Sequence, residues 1–362
     1  MKIPHWDNEP HILRTQQFSA ETLLWLVDHA GRFEKAMKQG KKLPQVSEKR
    51  LRILKIAFYE ASTRTEDTFW VAGVRLKMQV RVLADPNVLS SMVKGESFFE
   101  AMSALTADGD LRSADLIVIR HPEEGAAERA ATVIDTAISH GQSRRALAVI
   151  NGGDGAGQHP TQALGDLFTI IRERRCKGDP LDNLTVTLTG DLKDGRTTNS
   201  LMYLLGKFGI GRKIHIVIST LAQLYPRPEI LEYLSRHGVT YEFEPEFARG
   251  LRQADVVYAT RHQTERKKGE GKRKRISAKL RALYALRVDH ISLLKPKAFI
   301  MHPLPINRKP KDAPAEIDEA LAWRAIAGDP QLAWCRQNHR HVPMRAALLD
   351  LLCARIDENC NR

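Results

Sequence analysis

Aromatic residues are scarce in this chain: five Trp, seven Tyr and eleven Phe in 362 residues, none interleaved with basic residues in the manner of a base-stacking surface. That argues against a nucleic-acid partner. The four cysteines, Cys176, Cys335, Cys353 and Cys360, form no Cys-x-x-Cys pair and have no histidine at zinc-ligand spacing. Neither a disulfide framework nor a structural metal is expected, and a reducing, cytoplasmic setting is the simplest reading. No run approaches the length needed to span a membrane, and Met1-Lys2-Ile3-Pro4-His5-Trp6 lacks the apolar core of a signal peptide. A soluble protein without a membrane partner is expected. Acidic residues are also in deficit, 43 against 56 Lys and Arg, for a formal charge of +13. Such a surface attracts anions, and charge alone does not choose which. Part of the excess lies in Lys267-Lys268 and Lys272-Arg273-Lys274-Arg275, which reads as a solvated loop insertion.

What the chain has in quantity is alternation. Ile53 to Ala57, Gln79 to Leu83, Leu116 to Ile119 and Ala146 to Ile150 read as strands. Helical patterns follow Glu66, run from Glu96 to Leu105 and from Ala130 to Ile138, and restart at Pro160. Near Asp179-Pro180 the pattern begins again. Strands are expected at Leu184–Gly190, Ile214–Ile218, Tyr241–Phe243, Val256–Ala259 and Phe299–Met301, with helices at Ser200–Phe208, Glu229–Arg236 and Ile291–Leu294. A long helical pattern from Met344 to Ile356 closes the chain. The fold class is therefore α/β, with two domains, each a parallel sheet flanked by helices. Domain one spans 1–164 and is completed by a C-terminal helix, 343–362, packing back on it; domain two spans 165–342.

Ligands of open α/β sheets bind beyond the carboxyl ends of the strands. In Phe58-Tyr59-Glu60-Ala61-Ser62-Thr63-Arg64-Thr65, a strand delivers three hydroxyls and a guanidinium onto the first turn of a helix. That turn offers unpaired N–H groups and the positive end of the helix dipole. The plain alternative is that the hydroxyls only cap the helix while Arg64 is solvated. Arg120, His159-Pro160-Thr161-Gln162, Asp191 to Arg196, Arg261-His262-Gln263 and His302-Pro303-Leu304-Pro305 follow other strands. Each singly has a bland reading as a cap or a solvated charge. Together they describe a pocket for something carrying several negative charges.

These motifs, in this order, resemble the aspartate branch of the aspartate/ornithine carbamoyltransferases over nearly the whole chain. Phe58 to Thr65 meets the signature Phe-x-Glu-x-Ser-Thr-Arg-Thr, and His159-Pro160-Thr161-Gln162-Ala163-Leu164 is similar to the second motif. Gly190-Asp191-Leu192-Lys193-x-Gly195-Arg196-Thr197 and Thr260-Arg261-x-Gln263-x-Glu265-Arg266 are similar to the aspartate-binding motifs. His302-Pro303-Leu304-Pro305 fits this branch, where ornithine enzymes place cysteine after the histidine.

The resemblance implies transfer of a carbamoyl group from carbamoyl phosphate to the amine of L-aspartate, a step of pyrimidine biosynthesis, without cofactor or metal. It assigns Ser62, Thr63, Arg64, Thr65 and Arg120 to the phosphate, and His159 with Arg64 and Thr65 to the developing oxyanion. Gln162 and the carbonyls of Pro303 and Leu304 would orient the carbamoyl amide. Lys94, Arg196, Arg261 and Gln263 would hold aspartate. Ser90 and Lys94 are similar to a loop entering the adjacent subunit's site, which implies a homotrimer or a multiple of one; a regulatory chain is left open. Glu60, with Arg196 and Arg266, would act in domain closure. A different amino acceptor, or a silent homologue acting in assembly, are the alternatives. Two positions depart from the usual pattern: Ala61 stands where proline is common and Glu66 where arginine is.

Overall fold

The structure is a computed structural model and describes residues 4–7, 9–47, 50–83, 114–140, 147–261, 270–306 and 315–360. It divides into two compact units: residues 1–165 with 340–362, and residues 166–339.

In the first unit, Ser19 accepts a hydrogen bond from the Thr22 N–H and starts helix α1 (Ala20–Lys38), with Phe18 and Leu23 fully buried beside the cap. Strand β1 (Ile53–Phe58) leads into α2 (Thr63–Arg75), and β2 (Gln79–Leu83) follows. Strand β3 (Leu116–His121), helix α3 (Ala126–Ser139) and strand β4 (Ala148–Asp154) complete the sheet, and α4 (Pro160–Cys176) leaves it. The strand order is β2-β1-β3-β4, all parallel. A sheet covered on both faces needs apolar residues at consecutive positions. Accordingly Leu116, Ile117, Val118 and Ile119 are all buried, as are Ala148, Val149 and Ile150. The strand runs on through Asn151-Gly152-Gly153 to Asp154. Asn151 bonds to the backbone of Ile12 and Leu13, and Gly152 lets Ile119 and Val118 approach where a Cβ would crowd them.

The second unit holds β5 (Asn183–Thr189), α5 (Arg196–Phe208), β6 (Lys213–Ile218), α6 (Pro228–Arg236), β7 (Thr240–Phe243), α7 (Phe247–Gln253) and β8 (Val256–Ala259). Helix α8 (Glu270–Tyr284), strand β9 (Phe299–Met301) and α9 (Glu319–Ile326) follow. The order is β7-β6-β5-β8-β9, again wholly parallel. Residues 270–275, expected as a solvated loop, open helix α8. Lys, Arg and Glu are good helix formers, and Ile276, Leu280 and Tyr284 then repeat every fourth position against the apolar core of this unit. Of the helix expected at Ile291–Leu294, residues 291–293 end a short 3₁₀ turn, Asp289–Leu293, and no α-helix forms there. The last helix, α10 (Trp334–Cys360), starts ten residues before Met344 and carries Pro343 inside it. From Arg340 onward it belongs to the first unit. The expected helix Glu96–Leu105 lies outside the described residues.

Gly190, just past β5, has φ of +107°, and a Cβ there would lie 1.9 Å from the Thr260 carbonyl oxygen. Gly190→Ala therefore sets a methyl against backbone and should cost about 2 kcal/mol or more. For a unit of this size that lowers the melting midpoint by roughly 4–8 °C, measurable by calorimetry.

Candidate active site

In the first sheet the chain runs from β1 outward to β2, then crosses back to β3 and on to β4. Strand order thus reverses between β1 and β3, and the crevice beyond their carboxyl ends is where such sheets bind ligands. The Tyr59 N–H donates to the Arg120 carbonyl at 2.8 Å, which aligns the two exits. One exit is the turn Ser62–Thr65 and the other is Arg120. Ser62 is the N-cap of α2, but its hydroxyl donates to Thr65 Oγ1 at 3.0 Å and makes no capping bond to the backbone. Thr63 and Arg64 are exposed while Thr65 is buried. Simple capping therefore does not account for these hydroxyls, and the first turn presents its N–H groups and positive dipole end to an anion. Glu66 is half-buried in the first turn of α2, where a carboxylate is favourable to the helix dipole.

Arg120 is buried and fully engaged. Its Nε donates to the Glu60 carbonyl at 3.1 Å, Nη1 to the Gly152 carbonyl at 3.2 Å and Nη2 to Glu60 Oε1 at 3.2 Å. Glu60, expected in domain closure with Arg196 and Arg266, thus pairs here with Arg120. His159, buried, sits with Nε2 3.5 Å from Thr65 Oγ1 and Nδ1 3.4 Å from Thr161 Oγ1. Ser62, Thr65 and His159 therefore form one cluster, with Arg120 at the adjoining strand exit. Gln162, one turn into α4, is also buried.

Sequence reasoning missed what stands behind this cluster. Arg345 in α10, only 2% exposed, donates from Nη1 to the Thr65 carbonyl at 3.2 Å and lies over the Phe69 ring, 4.6 Å from its centroid. A buried cation behind the anion turn adds positive potential and fixes the turn's position. His341, one turn earlier, is buried against Gln162.

The second sheet repeats the logic. Order reverses between β5 and β8, and beyond those ends lie Asp191–Arg196 and Thr260–Arg261. The Thr260 N–H donates to the Thr189 carbonyl at 2.9 Å. Arg196 is the first residue of α5 and is buried; Arg261 is partly exposed. At the end of β9, the Leu304 N–H donates to His302 Nδ1 at 3.0 Å, and Leu304 holds φ of +42°. A non-glycine residue in this region is strained by about 1 kcal/mol or more, and such strain persists only where the surroundings impose it. Here they do. The His302 N–H donates to Gln337 Oε1 at 2.9 Å, Gln337 Nε2 donates to Asp166 Oδ1 at 2.6 Å, and the Tyr258 hydroxyl donates to Asp166 Oδ2 at 2.8 Å. Burial and the Asp166 carboxylate push the Tyr258 phenol well above its usual range, so it stays a donor. This chain of bonds fixes the Pro303 and Leu304 carbonyls. Gln263, Arg266, Ser90 and Lys94 lie outside the described residues.

His341 stays neutral: burial, then the Arg345 cation, hold its imidazole well below 6.5. The unfolded chain takes up that proton as pH falls through about 6.5 and the folded chain does not, so unfolded protein binds more protons and stability falls with pH. The limiting slope is about 1.4 kcal/mol per pH unit. Denaturant titrations of wild type and His341→Phe between pH 7 and 5 should show the slope reduced in the variant.

Residues 10–172 match the family described as aspartate/ornithine carbamoyltransferase, carbamoyl-P binding domain, and residues 182–352 match its Asp/Orn binding domain. The chain is 35% identical over 341 residues to the chloroplastic aspartate carbamoyltransferase of Arabidopsis thaliana, covering 94% of this chain and 77% of that protein. It is 34% identical to the aspartate carbamoyltransferase catalytic subunit of Saccharophagus degradans, covering 94% and 92%. Among solved structures, it superimposes on Trypanosoma cruzi aspartate transcarbamoylase in complex with N-(phosphonacetyl)-L-aspartic acid. The TM-score is 0.77, with 30% identity and 94% of each chain covered.

Proposed function

The chain belongs to the aspartate/ornithine carbamoyltransferase family, and from that membership we infer that it transfers the carbamoyl group of carbamoyl phosphate to the amine of L-aspartate, giving N-carbamoyl-L-aspartate and phosphate. The implied setting is pyrimidine biosynthesis. The observation that carries this reading is the first unit's site: an exposed helix N-terminus with Arg64, backed by buried Arg345 and flanked by Arg120 and His159.

In our assignment Ser62, Thr63, Arg64, Thr65 and Arg120 hold the phosphate of carbamoyl phosphate. Guanidinium forks match its oxygens and the helix N–H groups complete the cradle. His159, Arg64 and Thr65 donate to the carbamoyl oxygen as the aspartate amine attacks and negative charge grows on it. Donors of this kind contribute a few kcal/mol each, on the order of a hundred-fold in rate. The carbon–oxygen bond to phosphate then breaks, and the departing phosphate takes the amine proton. Gln162 and the carbonyls of Pro303 and Leu304 orient the carbamoyl NH2. Arg196 and Arg261, with Gln263, take the two carboxylates of aspartate, for which a planar fork suits better than an ammonium. Holding both reactants in place supplies much of the rate.

In the domain-closure role that the family resemblance implies, Glu60 acts on the use of aspartate rather than on phosphate binding. Glu60→Ala should therefore leave carbamoyl phosphate affinity within about threefold of wild type while kcat/KM for aspartate falls at least tenfold, read by calorimetry and by phosphate release. Equal losses for both substrates would refute the role. In an acceptor panel, phosphate release should occur with aspartate; release with ornithine and none with aspartate would overturn the main reading. Arg64→Ala and Arg196→Ala should each abolish tight binding of N-(phosphonacetyl)-L-aspartate.

A homotrimer in the cytoplasm completes the proposal, with Ser90 and Lys94 reaching the neighbouring subunit's site. Exposed Trp70 and Val74, one turn apart on α2, and Val82 on edge strand β2 give apolar surface that a second copy would cover. Cys176, Cys335 and Cys353, none of them in a disulfide, suit a reducing compartment. Sedimentation should give about three times the 40.8 kDa chain mass; a monomer at micromolar concentration would count against the trimer.

A further inference from the structure

One buried polar group touches the site without holding phosphate or aspartate. His341 projects from α10 with Nε2 3.1 Å from the side-chain nitrogen of Gln162, both residues buried. The ring is seated on the backbone of Gly165, three residues further along α4. A Cβ at Gly165 would lie 2.1 Å from Nδ1 and 2.3 Å from Cε1. No side chain fits at 165, so glycine there is what admits the imidazole. Three-residue spacing puts the vacant position of Gly165 and the side chain of Gln162 on one face of the helix.

We infer that His341 is a positioning residue that sets the orientation of the Gln162 amide and, through it, selects a substrate bearing an N–H donor. The inference rests on the carbamoyltransferase reading and deepens it. A neutral imidazole has one acceptor nitrogen, and with Nδ1 protonated that acceptor is Nε2. It accepts from the Gln162 NH2, which fixes the Gln162 carbonyl oxygen on the opposite side of the amide, where its two lone pairs can serve a ligand N–H. A protonated ring would face the NH2 with a second donor and would set two cations one helical turn apart, His341 beside Arg345. An oxygen acceptor fixed in place fits the carbamoyl NH2. It gives nothing to acetyl phosphate, which is nearly isosteric but carries a methyl group there. Sites built to bond a polar hydrogen reject analogues that lack it because the protein acceptor is left unpaired.

The test measures binding of carbamoyl phosphate, acetyl phosphate and inorganic phosphate by calorimetry, and turnover with aspartate, in wild type, His341→Phe, His341→Gln and Gln162→Ala. Wild type should prefer carbamoyl over acetyl phosphate. His341→Phe keeps a flat ring over Gly165 but removes the acceptor. It should shrink that preference about tenfold, the worth of one good hydrogen bond, with phosphate binding unchanged. His341→Gln, whose Oε1 reaches near the position of Nε2, should restore part of it. In Gln162→Ala the preference should already be lost, and adding His341→Phe should change nothing further. His341→Leu serves as the second acceptor-free variant should the Phe variant not fold. Equal weakening of all three ligands, an unchanged preference, or multiplicative effects of the two substitutions would overturn the inference. Absence of wild-type turnover with carbamoyl phosphate and aspartate would instead overturn the functional reading on which it rests.

Discussion

Every strand in both sheets runs parallel, and that constraint decides where the chemistry sits. Parallel strands deliver all their carboxyl ends to one edge of the sheet, so residues scattered along the chain arrive at a common rim. In the first sheet the reversal of order between β1 and β3 opens that rim at Ser62–Thr65 and Arg120; in the second, the reversal between β5 and β8 opens that sheet's own rim at Arg196 and Arg261. Apolar strands provide the stability, and their exits are left to polar groups that contribute little to it. The same division of labour explains why Leu116–Ile119 and Ala148–Ile150 are apolar at every position while Arg64, His159 and Arg196 come only after their strands have ended.

Groups at a rim would be loose without support, and the support is polar and buried. Asp166, Gln337, Tyr258 and His302 form one chain of hydrogen bonds that holds a strained Leu304. Arg345 fixes the Thr65 carbonyl. Burying a guanidinium costs several kcal/mol unless its donors are used, so its presence behind the anion turn is an investment of stability in the site. Cys353, also on α10, illustrates the surroundings: burial pushes its thiol up to about 12, so it behaves as a small apolar group.

Alternation of apolar runs and helical spacing made the fold class legible, because a buried parallel strand leaves a continuous apolar signature. Strand order did not show, since β1 and β3 read alike and nothing in their spacing encodes which neighbours pair. Arg64, Arg120, His159 and Arg196 were visible because they follow strands or open helices. Gln337 and His341 were hidden because they lie ahead of Pro343, before the expected start of the last helix, and Arg345 because it sits within that helix. Their one signal is polar character at positions whose helical spacing matches buried neighbours such as Leu348 and Leu349. The charged opening of α8 misled for the opposite reason: lysine and arginine favour helix as readily as they favour solvent.

The second unit is one uninterrupted stretch, 166–339, set inside a first unit whose two pieces lie on either side of it. A ribosome therefore finishes the second sheet before the first unit has its last helix. The bond from Arg345 to the Thr65 carbonyl spans 280 residues, so the turn waits for all of them before its buried cation arrives. Until then Phe69 lacks the guanidinium that covers its ring, and Gly165 faces an empty seat. The second unit can thus be complete while the turn at Thr65 in the first still awaits its buried cation.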